Sequence, residues 1–164
     1  MASTINDGDF QKNPDTNQKS KVVVALLPFF QDKLLLQLRD QKEGIVFPGH
    51  WGFFSGEVEK DEKPLTAAKR ELFEELGYSS KNIKKLGIKK IPDHHTLSHV
   101  YFFPLRVPLE KLLLQEGMDL GLFSAQEINS LRLYSSKLRQ WFPVVDTPMF
   151  KETIRELFAR IKNP

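Results

Sequence analysis

The sequence predicts a single α/β domain in which helices pack on an antiparallel or mixed β-sheet. Its 164 residues are 40% hydrophobic, which is enough for one core and too little for two domains. Several short segments are rich in β-branched and aromatic residues, and two longer segments have apolar residues at helical spacing. We therefore expect a disordered polar tail over residues 1–20 and a folded domain over residues 21–164.

The first strands of the sheet are predicted near the start of the domain. Val22–Phe30 and Leu34–Leu38 are apolar runs separated by a short polar turn. The stretch Gln41–His50 contains two glycines and a proline and therefore predicts a loop. Trp51–Phe54 predicts a short aromatic strand that leads into a turn at Gly56.

A helix is predicted between Pro64 and Gly77. Proline suits the first position of a helix, where its missing N–H has no partner to lose, and glycine suits the position just past the end. The apolar stripe comprises Leu65, Ala68, Leu72 and Leu76, and the acidic residues beside it are Glu71, Glu74 and Glu75. The helix therefore has a core side and an acidic side.

The second half of the domain contains three more predicted strands and two helices. The strands are Ile83–Ile91, Ser98–Val107, which Pro104 weakens, and Met118–Phe123. A short helix begins at Ser124. The last helix follows Asp146, Thr147 and Pro148 and places Phe150, Ile154, Leu157, Phe158 and Ile161 at helical spacing. This helix is expected to pack on the sheet.

Composition excludes several classes of protein. The chain has no cysteine, which removes disulfides, thiolate metal sites and cysteine nucleophiles. Its 24 basic and 21 acidic residues are spread along the sequence, so the net charge of +3 gives no support to a nucleic-acid partner. No apolar run approaches the ~20 residues of a membrane span, and no secretory signal is present. We expect a soluble cytoplasmic protein that is a monomer or a homodimer.

The acidic side of the helix predicts a metal site. Glu74 and Glu75 follow Glu71 by three and four positions, which places their β-carbons within about 6 Å of that of Glu71. Their charges repel each other, and a divalent cation makes the arrangement favourable. Oxygen ligands favour Mg²⁺ or Mn²⁺ over zinc. Arg70 is suited to pair with a carboxylate in two hydrogen bonds, and Glu62, just before the helix, is the expected partner.

A magnesium site of this kind predicts a phosphate-containing substrate. Magnesium binds through one or two carboxylates together with substrate phosphates, which indicates a diphosphate or triphosphate. The metal lowers the pKa of a bound water, and a glutamate can take that water's proton. The alternative is an ordinary solvated helix, because charged helix faces are common.

The wider stretch from Gly56 to Gly77, GEVEKDEKPLTAAKRELFEELG, resembles the Nudix box. The matching residues are Gly56, Glu62, Arg70, Glu71, Glu74, Glu75 and Gly77, with apolar Leu72. If each residue type occupies roughly one position in fifteen, seven fixed matches arise by chance on the order of once in 10⁸ windows. The full spacing therefore disfavours the solvated-helix alternative.

The resemblance implies both a fold and a set of roles. Nudix domains are α/β/α sandwiches around a mixed β-sheet, with the box forming a loop, a helix and a loop. Glu71, Glu74 and Glu75 are implied to bind the metal, and Glu62 and Arg70 to form a structural salt bridge.

Two positions of the box depart from the family pattern. A backbone carbonyl beside Gly56 is implied as a further metal ligand, and Ser55 stands where the family usually has another glycine. Tyr78 replaces an apolar residue after the last glycine of the box. Neither change removes a carboxylate, and Ser55 retains the carbonyl.

Two residues outside the box are further candidates. Glu116 resembles the loop glutamate that joins the metal site or acts as the base in some family members. Arg39, at the end of the second strand, resembles an arginine that meets the substrate in triphosphate-cleaving relatives. A plain surface role is the alternative for each. The catalytic base stays open among Glu71, Glu74 and Glu116.

Histidines and aromatic residues of the chain have simpler interpretations. Adjacent histidines in a strand point to opposite faces, so His94, His95 and His99 are expected at the surface rather than on one metal ion. The aromatic side chains of Trp51, Phe53 and Phe54 are expected to fill the core rather than stack on a base.

The predicted function is Mg²⁺-dependent hydrolysis of a nucleoside triphosphate, including a damaged one, to the monophosphate and pyrophosphate. One alternative is a nucleotide-sugar or dinucleoside polyphosphate hydrolase, since the box does not specify the attached group. Another is a noncatalytic Nudix-like nucleotide-binding module, which the complete set of carboxylates disfavours. A protein acting on RNA ends would require a basic surface, which the balanced charge does not indicate.

Overall fold

The computed structural model of the protein describes residues 20–92 and 95–164. The predicted tail therefore lies outside the described residues except for Ser20, and so does His94. Strands β1 to β4 are Lys21–Phe30, Lys33–Leu38, Trp51–Gly52 and Phe54–Glu57, and helix α1 is Pro64–Leu76. Strands β5 to β7 are Lys84–Ile91, Thr96–Pro104 and Asp119–Ser124, with a 3₁₀ turn at Leu109–Lys111. Helix α2 is Ala125–Asn129, strands β8 and β9 are Arg132–Ser135 and Gln140–Pro143, and helix α3 is Pro148–Lys162.

A mixed sheet of seven strands lies at the centre of this part of the chain. The main path runs β3-β2-β1-β6-β5, with β4 added beside β1 and β7 beside β2. Strands β1 and β6 run parallel, whereas the other pairs in the sheet are antiparallel. Strand β1 is long enough to pair with β6 along one edge and with both β4 and β2 along the other.

Each face of the sheet is covered by helices, because alternate side chains of the central strands point to opposite faces. On one face, Val24, Leu26, Leu35 and Phe54 pack with Ala67, Ala68, Leu72 and Leu76 of α1. On the other, Ala25, Leu27, Leu34 and Leu36 pack with Ile128 of α2 and with Phe150, Ile154 and Leu157 of α3. These two cores confirm the predicted α/β/α sandwich.

Helix α1 confirms the predicted boundaries and corrects one residue of its apolar face. The helix begins at Pro64 and ends before Gly77, whose backbone is left-handed (φ 59°) and whose N–H donates to the carbonyl of Phe73. Leu65 is 40% exposed, so assigning it to the core face was wrong. Glu75, assigned to the acidic side, is buried instead.

The predicted strand Trp51–Phe54 is two strands. Trp51 and Gly52 pair with β2, whereas Phe54 begins a strand that pairs with β1. The chain thus changes partners at Phe53, which apolar content alone cannot reveal. All three aromatic side chains are buried, as predicted.

Other boundaries changed by a few residues. Strand β6 begins at Thr96 and ends at Pro104, where the N–H of the following Leu105 makes a last hydrogen bond to the carbonyl of Phe29 in β1. Ser124 caps α2 by accepting a hydrogen bond from the N–H of Glu127, which confirms the predicted helix start. The hairpin of β8 and β9 was not predicted.

Lysines are concentrated on β5, so the expectation of evenly spread charge was wrong. Residues 81–90 contain five lysines and no acidic residue. Lys89 turns toward α3, where its Nζ lies 2.6 Å from Glu156 and 3.4 Å from Glu152. Exposed lysines on an edge strand discourage pairing with other chains. Among the described residues, no helix is both long and apolar enough to cross a membrane.

Candidate active site

An ion pair ties the loop before α1 to the helix. Arg70 donates from Nε to Oε1 of Glu62 at 2.9 Å and from Nη2 to Oε2 of the same carboxylate at 2.9 Å. The N–H of Glu59 also donates to Glu62, at 3.0 Å. The hydrogen bonds from Arg70 hold the pKa of Glu62 below its usual value. The structure thus brings together the residues for which a structural salt bridge was predicted.

Arg70 also reaches the acidic side of its own helix. Its Nη1 donates to Glu71 at 2.8 Å and to Glu74 at 3.1 Å, and its Nη2 donates to the carbonyl of Glu57 at 2.9 Å. One guanidinium therefore joins three carboxylates and the end of β4. Hydrogen bonding to Glu62 raises the pKa of Arg70, so the cation is permanent.

Glu75 is the most unusual carboxylate of the group. Its side chain is buried, with 8% exposed, and its Oε2 has no hydrogen-bond partner among the described residues. Burial, together with the nearby charges of Glu116 and Glu71, raises the pKa of Glu75 to about 7. Burial also raises the pKa of Glu71, against the opposing effect of Arg70. A buried carboxylate oxygen without a partner is costly unless something else binds it.

The loop that carries Glu116 is anchored on both sides of that residue. Before it, the N–H of Gln115 donates to the carbonyl of Glu75 at 3.0 Å. After it, the N–H of Met118 donates to the carbonyl of Leu38 at 2.8 Å. These bonds join the end of α1 to the end of β2 and hold Glu116 near Glu75, 41 positions away along the chain.

Two residues that the sequence did not single out shape this loop. Gly117 has a left-handed backbone (φ 94°), and a Cβ there would lie 2.8 Å from the carbonyl oxygen of Leu38. Its N–H donates to Oδ2 of Asp40 at 3.4 Å. Gly117 could have been recognised from the sequence, because a glycine often marks a turn or a position where another segment approaches the backbone closely. Asp40 had no local signal.

Arg39 lies beside the same carboxylates. Burial lowers the pKa of Arg39, and the charges of Glu75, Asp40 and Glu116 oppose that effect. Its Nε donates to the carbonyl of Val46 at 2.7 Å. The guanidinium thus links the carboxylate cluster to the loop after β2.

Strand β4 approaches α1 closely at the start of the box. A Cβ on Gly56 would overlap the carboxyl group of Glu71. Ser55, the neighbouring residue, is exposed and pairs with Ala25 of β1. The glycine therefore leaves the space that the Glu71 carboxylate occupies, beside the backbone carbonyls of β4.

Substituting Gly56 tests this close approach. We expect Gly56→Ala to displace the Glu71 carboxylate and to weaken Mn²⁺ binding by about 10- to 100-fold, the usual cost of disturbing a group that orients a metal ligand. Binding is measured by isothermal titration. Gly87→Ala is the matched control, because a Cβ at Gly87 meets nothing within 4 Å. Equal affinities of the two variants would show that the space beside Glu71 is not needed.

Two of the three histidines considered as metal ligands, His95 and His99, lie on or next to β6. His99 lies on β6, where burial and the charge of Lys85 lower its pKa. His95 is in the turn before that strand, with φ 44°. Within residues 20–92 and 95–164, no three carboxylate or imidazole side chains converge in a metal-binding geometry. One oxygen of Glu71 and one oxygen of Glu74 instead accept hydrogen bonds from Arg70.

The residues present fit a hard divalent cation. Their donor atoms are carboxylate and backbone carbonyl oxygens, the type that magnesium and manganese prefer. Glu75 supplies a buried oxygen for which residues 20–92 and 95–164 provide no hydrogen-bond partner. A cation beside it would offset both the burial of that oxygen and the repulsion among neighbouring glutamates.

Comparison with known proteins decides the family. A family model of the NUDIX domain matches residues 19–159. The chain belongs to the NUDIX family. The predicted enzyme class, a hydrolase acting on phosphoanhydrides, is confirmed by this match.

Individual relatives agree with this assignment. The NUDIX chain is 28% identical to mouse oxidized purine nucleoside triphosphate hydrolase over 130 residues, which are 79% of this chain and 70% of the mouse protein. The NUDIX domain of Shewanella oneidensis NrtR, solved with ADP ribose, superposes with a TM-score of 0.67 and 15% identity, covering 92% of this chain and 94% of that domain. A MutT protein from Methanosarcina mazei gives 0.63 and 17%, covering 88% and 96%. These structures share the fold.

Proposed function

We propose that this NUDIX protein hydrolyses a nucleoside triphosphate, including one with a damaged base, to the monophosphate and pyrophosphate with Mg²⁺ as cofactor. The observation that carries the proposal is the buried Oε2 of Glu75, which has no hydrogen-bond partner among the described residues and whose carboxylate is affected by the charges of Glu71 and Glu116. Hydrolysis of a triphosphate is the activity named for the mouse relative.

Glu71, Glu74 and Glu75 would hold the cation, with the carbonyl of Ser55 or Gly56 as a further ligand. Mn²⁺ satisfies the same donors. When bound, the cation neutralises phosphate charge and lowers the pKa of a coordinated water. The ion pair of Glu62 with Arg70 holds the loop and helix of the site together.

Other side chains of the site bind the substrate and move the proton. Arg39, directly after β2, would donate hydrogen bonds to a substrate phosphate, and its proximity to the charges of Glu75 and Glu116 supports this role. A glutamate takes the proton from water as the water oxygen bonds to phosphorus and the anhydride bond to pyrophosphate breaks. Glu71, Glu74 and Glu116 are the candidates for this base.

A second candidate function is hydrolysis of a nucleoside diphosphate linked to a sugar. It is favoured by the similarity of the fold to a NUDIX domain solved with ADP ribose. Both reactions use the same carboxylates, because both break a phosphoanhydride. A noncatalytic nucleotide-binding module is the candidate of another class, and the complete set of box glutamates argues against it.

Phosphate release tests the proposal, with a pyrophosphatase added for the triphosphates, which yield pyrophosphate, and an alkaline phosphatase added for the nucleotide sugars and dinucleoside polyphosphates, which yield phosphomonoesters. The panel contains normal and oxidised nucleoside triphosphates, nucleotide sugars and dinucleoside polyphosphates, each with Mg²⁺ and with a chelator. We expect metal-dependent turnover of triphosphates that falls by about 10²- to 10⁴-fold in Glu74→Gln if this residue is the base, and by a smaller factor if it is a ligand only. Glu110→Gln, a change in the exposed 3₁₀ turn, is the control.

Each outcome of this screen has a defined meaning. Turnover restricted to nucleotide sugars would replace the triphosphate with the second candidate. Tight nucleotide binding without any turnover would favour the binding module. Turnover that persists in the chelator would contradict the proposed dependence on a metal.

A further inference from the structure

The loop after β2 is built around the candidate site. Arg39 donates to the carbonyl of Val46 at 2.7 Å, and the N–H of Gly49 lies 3.2 Å from the carbonyl oxygens of both Arg39 and Asp40. The N–H of Arg39 closes the loop by donating to the carbonyl of His50 at 2.9 Å. Residues 40–49 are therefore held against the same arginine that lies beside Glu75 and Glu116.

This loop exposes two apolar side chains next to each other. Val46 is 56% exposed and Phe47 is 38% exposed. Phe47 also has a left-handed backbone (φ 53°), which is unusual for a bulky side chain and unfavourable. Strained conformations of this kind concentrate where ligands are held, because the surrounding structure must compensate for them. Neither exposure nor strain at Phe47 stabilises the fold.

The ring of Phe47 is supported by a neighbour that is itself fixed. It meets the imidazole of His50 edge-on, with the ring centroids 5.7 Å apart. Nδ1 of His50 lies 2.9 Å from the carbonyl oxygen of Pro48. The backbone N–H of His50 donates to the carbonyl of Phe47 at 3.3 Å. The aromatic side chain is thus presented by a closed loop.

Other exposed aromatic side chains of the described residues are elsewhere. Phe30 ends β1, Phe73 lies on α1 away from its buried side, and Tyr134 and Trp141 contact each other on the β8–β9 hairpin. Phe47 differs from these side chains because its neighbour Val46 accepts a hydrogen bond from Arg39.

We propose that Phe47, with Val46 beside it, is the surface on which the base of the bound nucleotide stacks. The proposal rests on the proposed function, because it assumes that the phosphates lie at Arg39 and the carboxylates. A flat heterocycle gains from stacking on an aromatic ring whatever its hydrogen-bonding pattern. The ligand class is therefore a nucleotide with an intact ring, and Phe47 contributes affinity for any base rather than selection among bases.

Turnover of three Phe47 variants provides the first test. We expect Phe47→Ala to raise KM for the preferred nucleotide by about 10-fold or more, as loss of one aromatic–base stack does, with a smaller change in kcat. Phe47→Tyr should retain the wild-type KM, and Phe47→Leu should behave like Phe47→Ala because it keeps apolar bulk without a ring. Phe30→Ala is the matched control. An unchanged KM in Phe47→Ala would overturn the proposal.

Fluorescence provides a second test that does not depend on catalysis. In a Trp141→Phe background, Phe47→Trp adds one exposed tryptophan to a protein whose other tryptophan is the buried Trp51. The Nε1 of Trp51 donates to the carbonyl of Leu133. We expect a nucleoside monophosphate to quench the added fluorescence and ribose 5-phosphate, which has no base, to leave it unchanged. Equal responses to the two ligands would overturn the stacking.

The two tests separate this inference from the proposed function. Quenching by nucleotides without turnover of any panel substrate would refute the hydrolase and retain the stacking surface. Turnover with an unaltered KM in Phe47→Ala would retain the hydrolase and refute the stacking surface.

Discussion

Replacing Glu75 with glutamine is expected to remove most of the turnover of this NUDIX protein while stabilising its metal-free fold at neutral and basic pH. Glutamine keeps the size of the side chain but removes the charge that would bind a cation. The loss of activity should exceed the roughly 10- to 100-fold cost of losing a group that only orients a ligand. Steady-state kinetics over a range of Mg²⁺ concentrations measure it.

The effect on stability follows from the raised pKa of Glu75. Its value is about 7 in the folded protein, against a usual value of 4.5. The folded state therefore binds this proton more tightly than the unfolded state, and stability falls as pH rises from 4.5 to 7. Above pH 7 the penalty is complete, and glutamine removes it.

Thermal unfolding in a chelator checks this pH dependence. We expect the Tm of Glu75→Gln to exceed that of the wild type at pH 8 and to match it near pH 4.5. Mg²⁺ should raise the Tm of the wild type more than that of the variant, because a ligand stabilises the state that binds it. A Tm difference that does not vary with pH would contradict the assignment of the raised pKa to Glu75.

Removing the guanidinium of Arg70 is expected to lower both stability and activity. Arg70→Ala deletes five hydrogen bonds, which connect the helix to Glu62, Glu71, Glu74 and the carbonyl of Glu57. The carboxylates then repel each other without a compensating cation, and the loop before α1 is released. We expect a lower Tm and about a 10- to 100-fold loss of kcat/KM. Circular dichroism melting and the phosphate assay measure the two effects.

Two further variants identify the cause. Lys69→Ala removes a neighbouring exposed cation from the same helix and should have little effect. The double variant Glu62→Gln/Arg70→Ala should lose less free energy of unfolding than the sum of the losses in the two single variants, because the two residues act as one unit. Strict additivity would show that the ion pair does not couple the loop to the helix.

Local signals explain why much of the fold was predictable. Pro64 and Gly77 define the ends of α1 by backbone chemistry that acts within a few residues. Thr147 and Pro148 do the same at the start of α3, where Thr147 accepts a hydrogen bond from the N–H of Phe150. Apolar periodicity then identified the buried faces of these helices, apart from Leu65.

The strand predictions were wrong where contacts with distant parts of the chain determine the secondary structure. The change of partner between β3 and β4 depends on where β1 and β2 diverge. The β8–β9 hairpin contacts Trp51, whose indole N–H donates to the carbonyl of Leu133 at 3.2 Å across 82 positions of the chain. Neither feature leaves a pattern within the short segment itself.

By itself, the sequence determined the family, the helix that carries the glutamates and the order of residues in the box, because these are properties of short spacing along one chain. The tertiary structure alone decided how the site is completed. It buries Glu75, holds Glu116 near it through Gln115 and Met118, and joins the loop of Phe47 to Arg39 by a hydrogen bond to Val46. Burial and charge proximity set the pKa of a carboxylate, and both arise only when distant segments meet.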